Sequence, residues 1–375
     1  MRDKPHSSHR IKVAYLAPIR LPSEKVHTKQ VLKTCEALNQ QEGITVELFV
    51  SRLQAPLERV WKEYGVRQPF VLHHISAFST VGWGKSGYAL HTLSFAPRAL
   101  RAAQRKGAGL FYTRDWWIAW WLRLRRKPYV FEIHGPQDHI LARGALEGAR
   151  GIVAINEALA QRARDLVGNQ KPIVVAHDAV DVDQFMQIPE APPASPPYIV
   201  RYVGSVDLYD WKGVRYLLRA AELLDPARFR VEIIGATPGW IEKHQHAVPP
   251  SVRLRERVPY QAVPRLLATA HALVIPNDPD NPHGALYTSP VKLFEYMAAG
   301  RPIVASDVPA IREILPRDAA WYIDVRDAEA FARAIRDACA SSEAFMRACR
   351  ARAVVARHTW EARAKTIAEV LRKVV

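Results

Sequence analysis

The sequence predicts an α/β protein made of two doubly wound, Rossmann-like domains facing a central cleft. Short apolar, β-rich runs alternate with helix-period segments along most of the 375 residues. That alternation is the pattern of βαβ units on a parallel sheet. A proline-dense stretch, IPEAPPASPP over 188–197, interrupts the alternation once, and the alternation restarts after it. Such a composition makes a stiff extended spacer rather than a folded element. The length also agrees, since domains usually hold about 100–200 residues.

Each element has its reason along the chain. Apolar, β-rich runs mark strands at 11–17, 45–50, 109–113, 128–134, 151–155 and 172–177. The run PYVFEIHG over 128–135 is apolar nearly throughout, as a strand buried on both faces requires. Helical patterning marks 26–39, 88–106, 116–124 and 157–167. Beyond the spacer, strands are expected at 198–203, 230–234, 251–254, 272–275, 302–305 and 320–323. Helices are expected at 212–224, 261–270, 291–299 and 328–339, and the tail from 342 is helical by composition. The division is a first domain over 1–187, a linker over 188–197 and a second domain over 198–359. Ligands of such sheets bind beyond the carboxyl ends of the strands, so the loops there should carry the chemistry.

Composition narrows the function classes. With 49% apolar residues the chain can bury a core, which argues against disorder. Cys35, Cys339 and Cys349 fit neither a disulfide framework nor a zinc spacing and point to a reducing compartment. The polar residues 1–12 lead straight into a strand and do not read as a secretory signal. No stretch of about 18 apolar residues occurs, so no spanning helix is expected. A cytoplasmic protein is the expectation, peripheral on the inner face of a membrane if its charge is used there.

That charge is large: 53 Lys and Arg stand against 37 Asp and Glu, a net +16. Residues 1–190 hold 27 of the cations and 17 of the anions, so the excess leans to the first half. Nucleic acid, an anionic membrane surface and small phosphorylated substrates would all draw on it. One segment concentrates it. Trp116, Trp117, Trp120 and Trp121 precede Arg123, Arg125, Arg126 and Lys127. On a helix the tryptophans share one face. Trp beside Arg and Lys suits the headgroup region of a bilayer, so this face is a candidate acceptor or membrane surface. A helix packed on a sheet by bulky residues is the other reading.

The most informative stretch is YTSPVKLFEYMAAGRP over 287–302. Ser289 suits an N-cap and Pro290 the first helical position. The helix start then offers free N–H groups to an anion, and Lys292 adds a full charge. Glu295 lies about one turn on, placed to bind ribose hydroxyls while the amides hold a diphosphate. From spacing alone, an ordinary capped helix with surface Lys and Glu also remains open. Other signatures fail. Residues 79–86, STVGWGKS, share the tail of a P-loop but carry Ser79 where its first Gly belongs. No G-x-G-x-x-G follows the first strand, so simple NAD binding is not expected. His73 and His74 lack a third ligand at useful spacing, so neither a metal nor a cofactor is expected.

The run SPVKLFEYMAAGRPIVASDVPAIREIL closely resembles the signature segment of family 4 glycosyltransferases, which have the GT-B fold. VFEIHG, IVAINEALA, HDAVDVDQF and YVGSVDLYDWKGVRYLLRA follow that family's order, so the resemblance covers nearly the whole chain. It implies that Glu295 matches the second carboxylate of the E-x7-E pattern, the one that binds the donor ribose. The first carboxylate falls at Tyr287, a departure that leaves sugar choice open. The S-P-x-K subgroup implies that the backbone at Thr288, Ser289, Pro290, Val291 and Lys292 approaches sugar and diphosphate. Lys212, after Gly204 and Ser205, matches the lysine of the basic pair on the diphosphate. Ser205 stands where that pair's Arg is usual, and Lys292 is expected to replace it. His134 matches a histidine near the reacting sugar, while Glu132 shares its side of the strand with no clear role. His177-Asp178-Ala179-Val180-Asp181 resembles the family's N-G-V-D turn, read as closing the first domain. Asn156 is expected at a strand end near the cleft, and the last helix, 360–375, is expected to cross back onto the first domain.

The function implied is glycosyl transfer from a nucleotide-diphosphate sugar to a hydroxyl, with retention and without metal, in cell-surface glycan, glycolipid or polysaccharide synthesis. His134, Lys212 and Glu295 are the catalytic candidates. The expected partners are the donor, a glycan or lipid-linked acceptor and an anionic membrane surface, with no nucleic acid. The alternatives are a sugar-nucleotide epimerase of the same fold and a basic nucleic-acid-binding protein.

Overall fold

The structure, a computed structural model, describes residues 10–23, 26–78, 83–188, 190–193, 195–206, 210–245 and 247–375. Residues 79–82 of the P-loop-like segment and 207–209 of YVGSVDLYDWKG lie outside the described residues. The chain divides into two compact units. Unit 1 runs to His177 and takes in Trp360–Val375; unit 2 is Asp178–Thr359.

Unit 1 is built on seven strands: β1 (Ile11–Leu21), β2 (Ile44–Leu53), β3 (Leu72–His74), β4 (Leu110–Thr113), β5 (Tyr129–Ile133), β6 (Gly151–Ala154) and β7 (Ile173–Val175). All pairs are parallel, in the order β3-β2-β1-β4-β5-β6-β7. The three strands β4, β5 and β6 are buried at every residue, which explains their nearly unbroken apolar runs. Sequence periodicity misses β3, a three-residue edge strand whose His73 is occupied by Glu47 at 2.7 Å. It also misses the helices Leu57–Tyr64 and Ile140–Gly148. The C-terminal helix Trp360–Lys373 belongs to this unit. It buries Trp360, Ile367 and Leu371 on one face, and Arg150 donates to the Val374 carbonyl at 3.0 Å.

Unit 2 carries six parallel strands: β8 (Tyr198–Val203), β9 (Phe229–Ala236), β10 (Val252–Glu256), β11 (Ala272–Ile275), β12 (Ile303–Ser306) and β13 (Trp321–Ile323), in the order β10-β9-β8-β11-β12-β13. In each unit the strand order reverses once, between β1 and β4 and between β8 and β11. Such switch points open a crevice outside the carboxyl ends of the strands.

Residues 178–187, expected in the first domain, belong to unit 2. The reason is their partners. Asp178 N–H donates to Ser289 Oγ at 3.0 Å and Val180 N–H to the His358 carbonyl at 3.1 Å. Val180 and Phe185 join a core cluster with Leu273, Phe294 and Met297. The His177–Asp181 turn therefore opens the second unit rather than closing the first. The proline-rich segment is likewise tied to unit 2: Arg265 pairs with Glu190 at 3.0 Å, and His271 Nε2 bonds the Pro193 carbonyl at 2.8 Å.

Candidate active site

The switch point of unit 2 gathers most of the expected donor-site residues. β8 ends at Gly204 and Ser205. Gly204 (φ 157) and Gly235 on β9 (φ 123) adopt backbone angles that L side chains rarely take. A Cβ on Gly235 would stand 2.4 Å from the Gly204 carbonyl oxygen, so the two glycines let neighbouring strand ends approach at backbone contact. Gly235→Ala is therefore expected to lower stability by about 2 kcal/mol or more and to weaken nucleotide binding. Thermal denaturation with and without UDP measures both, and an unchanged melting temperature would refute the steric account.

Lys292 lies in the first turn of the helix Val291–Ala299. Its Nζ donates to Tyr202 Oη at 2.7 Å and sits 4.0 Å from the centre of that ring. Tyr202 Oη in turn donates to the Ser205 carbonyl at 3.3 Å. Burial pushes the Lys292 ammonium well below the usual lysine range, the Lys212 charge pushes it further, and Glu295 opposes both. The three groups named from sequence are therefore electrostatic neighbours. Lys212 ends a short 3-10 turn, Asp210–Lys212, followed by Gly213 at φ 66. A Cβ there would meet the Pro276 carbonyl oxygen at 1.7 Å, so glycine is what lets the turn seat Lys212 against the end of β11. Glu295 is buried one turn beyond Lys292 and, after burial itself, raises the Tyr260 hydroxyl.

The loop into this helix differs from expectation. Pro290, not Ser289, is the N-cap, and it makes no side-chain cap bond. Ser289 Oγ instead accepts from Asp178 N–H, which ties the chain entering unit 2 to this loop. Thr288, Ser289 and Pro290 are buried, while Tyr287 and Val291 are half-buried. Tyr202 was not anticipated: an aromatic residue on a buried strand reads as core. Asn277 and Asp278 are two more. Asn277 Nδ2 donates to the Gly284 carbonyl at 3.0 Å, and Asp278 binds Tyr216 Oη at 3.0 Å and Arg215 at 2.6 Å, which holds the 277–286 loop.

In unit 1, His134 follows β5. Its Nε2 stands 2.5 Å from Glu132 Oε1. Glu132 is buried and also receives Tyr112 Oη and, at 2.7 Å, Arg363 from the C-terminal helix. Arg363 donates further to the Ala176 and His177 carbonyls. Burial works to raise the Glu132 carboxyl, but Arg363 and then His134 hold it well below the usual range. Burial and the Arg114 charge lower His134 to about 4 against the pull of Glu132. At neutral pH Glu132 is thus an anion that only accepts, so the neutral imidazole carries its proton on Nε2. Nδ1 is left as an acceptor. Asn156, a possible contact from sequence, is fully buried and caps its own helix through Leu159 N–H at 3.0 Å.

The tryptophan helix Trp116–Leu124 buries Ile118, Ala119 and Leu122, and all four tryptophans are half-buried on the other arc. Trp116 stacks on Trp117 with centroids 4.2 Å apart, and Arg125 lies 4.9 Å over Trp121. Arg123 is taken up by the Gly144 carbonyl and Glu147, and Arg126 closes the helix at φ 52. Among the described residues no helix is long and apolar enough to cross a membrane. Among them, too, no three His, Cys, Asp or Glu side chains converge as a metal site.

Residues 28–184 match the family model Glycosyltransferase Family 4, and residues 197–341 match Glycosyl transferases group 1. The putative colanic acid biosynthesis glycosyltransferase WcaL of Escherichia coli K12 is 23% identical over 247 residues, which are 64% of this chain. The matched part is 58% of that relative's length. Among solved structures, sucrose-phosphate synthase from Thermosynechococcus elongatus superposes with a TM-score of 0.74 at 17% identity, covering 97% of this chain and 99% of that one. HepE of Anabaena in complex with UDP-glucose superposes with a TM-score of 0.68 at 13% identity, covering 96% and 99%. Glycosyltransferase models thus span most of both units, and both sheets are those of GT-B structures: the chain is a GT-B glycosyltransferase of the family 4 type.

Proposed function

We propose that the chain transfers a sugar from a nucleotide-diphosphate sugar to an acceptor hydroxyl, with retention, in the synthesis of a cell-surface glycan or polysaccharide. The observation that carries this reading is the convergence of Lys212, Lys292 and Glu295 at the switch point of unit 2, with two like charges close enough to lower Lys292. Two lysine charges gathered beside a helix start at the ends of the strands suit an anion, and a diphosphate supplies it. The UDP-glucose held by HepE and the colanic acid role of WcaL are consistent with this donor and product class.

The lysines and the N–H groups at the start of the Val291–Ala299 helix take the charge of the departing diphosphate, so no metal or further cofactor is required in this mechanism. Glu295 holds the ribose hydroxyls. The acceptor oxygen bonds to the anomeric carbon as the bond to the diphosphate breaks. A histidine held near 4 is a poor base, so the hydroxyl proton passes to the leaving phosphate. A thermal-shift panel of UDP-, GDP-, ADP- and dTDP-sugars tests the donor. At a hundredfold excess over Kd the right one adds about 2.7 kcal/mol of stability, and no shift with any of them would end this reading.

The half-buried tryptophans and the basic residues after them also support docking on an anionic membrane. Flotation with phosphatidylglycerol liposomes is expected to fall severalfold in a Trp117→Ala/Trp121→Ala double variant. Undiminished flotation would remove this face from membrane contact.

A further inference from the structure

The net positive charge of the first half has a use beyond the donor. Unit 1 contains a cavity of about 610 Å³ at the carboxyl ends of β1, β2 and β4, the switch point of its own sheet. Its lining includes Arg20 and Arg114, His27 and His91, and Tyr88 and Asp115. We propose that this cavity is the acceptor subsite and that it selects a phosphate-bearing acceptor, gripped by Arg20 and Arg114. The proposal rests on the transferase reading and names the acceptor class that reading leaves open.

Four observations support it. First, the positive charge is not neutralised. Asp115 is the sole carboxylate among the described lining residues, and its oxygens are already engaged by Ile118 N–H at 3.0 Å and by Tyr88 Oη. Second, Arg114 is held in place by a neutral group: its Nη1 donates to Gln30 Oε1 at 2.8 Å, which orients the guanidinium without cancelling it. Third, Arg20 sits where the β1–β2 register shifts, between Ala17 and Arg20. Pro18 cannot donate to the ladder there, and such irregularities re-aim a side chain beside a site. Arg20 is exposed, with Arg52 as its register partner on β2, and among the described residues its side chain makes no hydrogen bond or ion pair. Two adjacent strands thus present arginines side by side with no anion between them. Fourth, Arg114 reaches both the cavity and the His134–Glu132 pair, whose acidities it shifts. A phosphate at Arg114 is therefore close enough to the His134–Glu132 pair to act on the same charges. Planar guanidinium forks match phosphate oxygens pairwise, which suits this anion better than a neutral sugar.

Crossed variants test the proposal by isothermal titration of the full chain with inorganic phosphate, glucose 6-phosphate, decyl phosphate, glucose and UDP. Arg20→Ala is expected to weaken phosphate and phosphate-ester binding at least tenfold and to leave UDP binding intact. Lys292→Ala is expected to do the reverse. Tighter binding of glucose 6-phosphate than of decyl phosphate assigns a soluble sugar phosphate, and the opposite order assigns a lipid phosphate headgroup; either supports the subsite. Equal phosphate binding by wild type and Arg20→Ala, no phosphate binding, or glucose binding as tight as glucose 6-phosphate overturns it. Failure of the donor reading has a separate signature, the absence of UDP binding to the wild type.

Discussion

Lys292→Ala is expected to lower kcat/KM for the donor by about 10²–10³-fold while leaving the fold as stable as before, or more so. The loss follows from geometry. The ammonium is pinned at 2.7 Å from Tyr202 Oη, and its residue lies in the first turn of the Val291–Ala299 helix. A preorganised charge of this kind typically contributes on the order of 10²–10³ in rate. The unchanged stability follows from electrostatics: burial and Lys212 both disfavour the charged form. Because the folded state holds that proton less tightly than the unfolded chain, stability of the unliganded protein rises with pH between the lowered folded value and the ordinary lysine range. In Lys292→Ala that rise should disappear. Steady-state kinetics and melting curves from pH 7 to 10 check both halves. A variant with normal kinetics, or one that loses activity only because it unfolds, would exclude Lys292 from the donor site.

Arg363→Ala is expected to be the most destabilising single change, at about 3–5 kcal/mol. It strips Glu132 of its main counter-charge in a fully buried setting and leaves the Ala176 and His177 carbonyls without their donor. The double variant Glu132→Gln/Arg363→Met should recover part of the loss, because no uncompensated charge then stays buried. Urea unfolding followed by tryptophan fluorescence measures this, and a loss below about 1 kcal/mol would show that the pair contributes little. The same network has a pH signature. His134 falls to about 4 in the folded state, against about 6.5 in an unfolded chain. The unfolded chain therefore binds more protons in that window. This contribution to stability, on the order of 3 kcal/mol, is complete above about pH 6.5 and is lost as pH falls towards 4. A depressed carboxylate, Glu132, acts in the same direction at lower pH. An imidazole NMR signal from His134 that titrates near pH 6.5 would contradict the buried neutral state.

Much of the fold was legible because its signals are local. Helices at 26–39, 116–124, 157–167 and 291–299 and strands at 198–203 and 272–275 have the limits that periodicity marks, since long apolar patterns bounded by turn residues leave few other ways to bury their faces. Shorter elements escaped. Leu72–His74 has too few residues to show a period, and it exists because the edge of β2 offers hydrogen bonds. Of the candidate donor site, Lys292 and Glu295 stood out from their spacing at a helix start and Lys212 from the family resemblance, and the structure makes the three electrostatic neighbours. Tyr202 was not, because a strand tyrosine looks the same in sequence whether its hydroxyl is idle or holds a lysine.

By itself the sequence determined the two parallel-sheet units, the glycine-lined turns and the helix start that can receive an anion, all of which follow from residue type and near-neighbour spacing. Only the tertiary structure decided which partners those residues take. It moved 178–187 into the second unit through Ser289, and it brought Arg363 to Glu132 across 231 residues, so that the proton on His134 has a defined place. It also drew Arg20 and Arg114 to one cavity. The physical reason is that periodicity records which face of an element is buried, whereas the identity of a buried charge's partner depends on how distant segments cross, which no local pattern encodes.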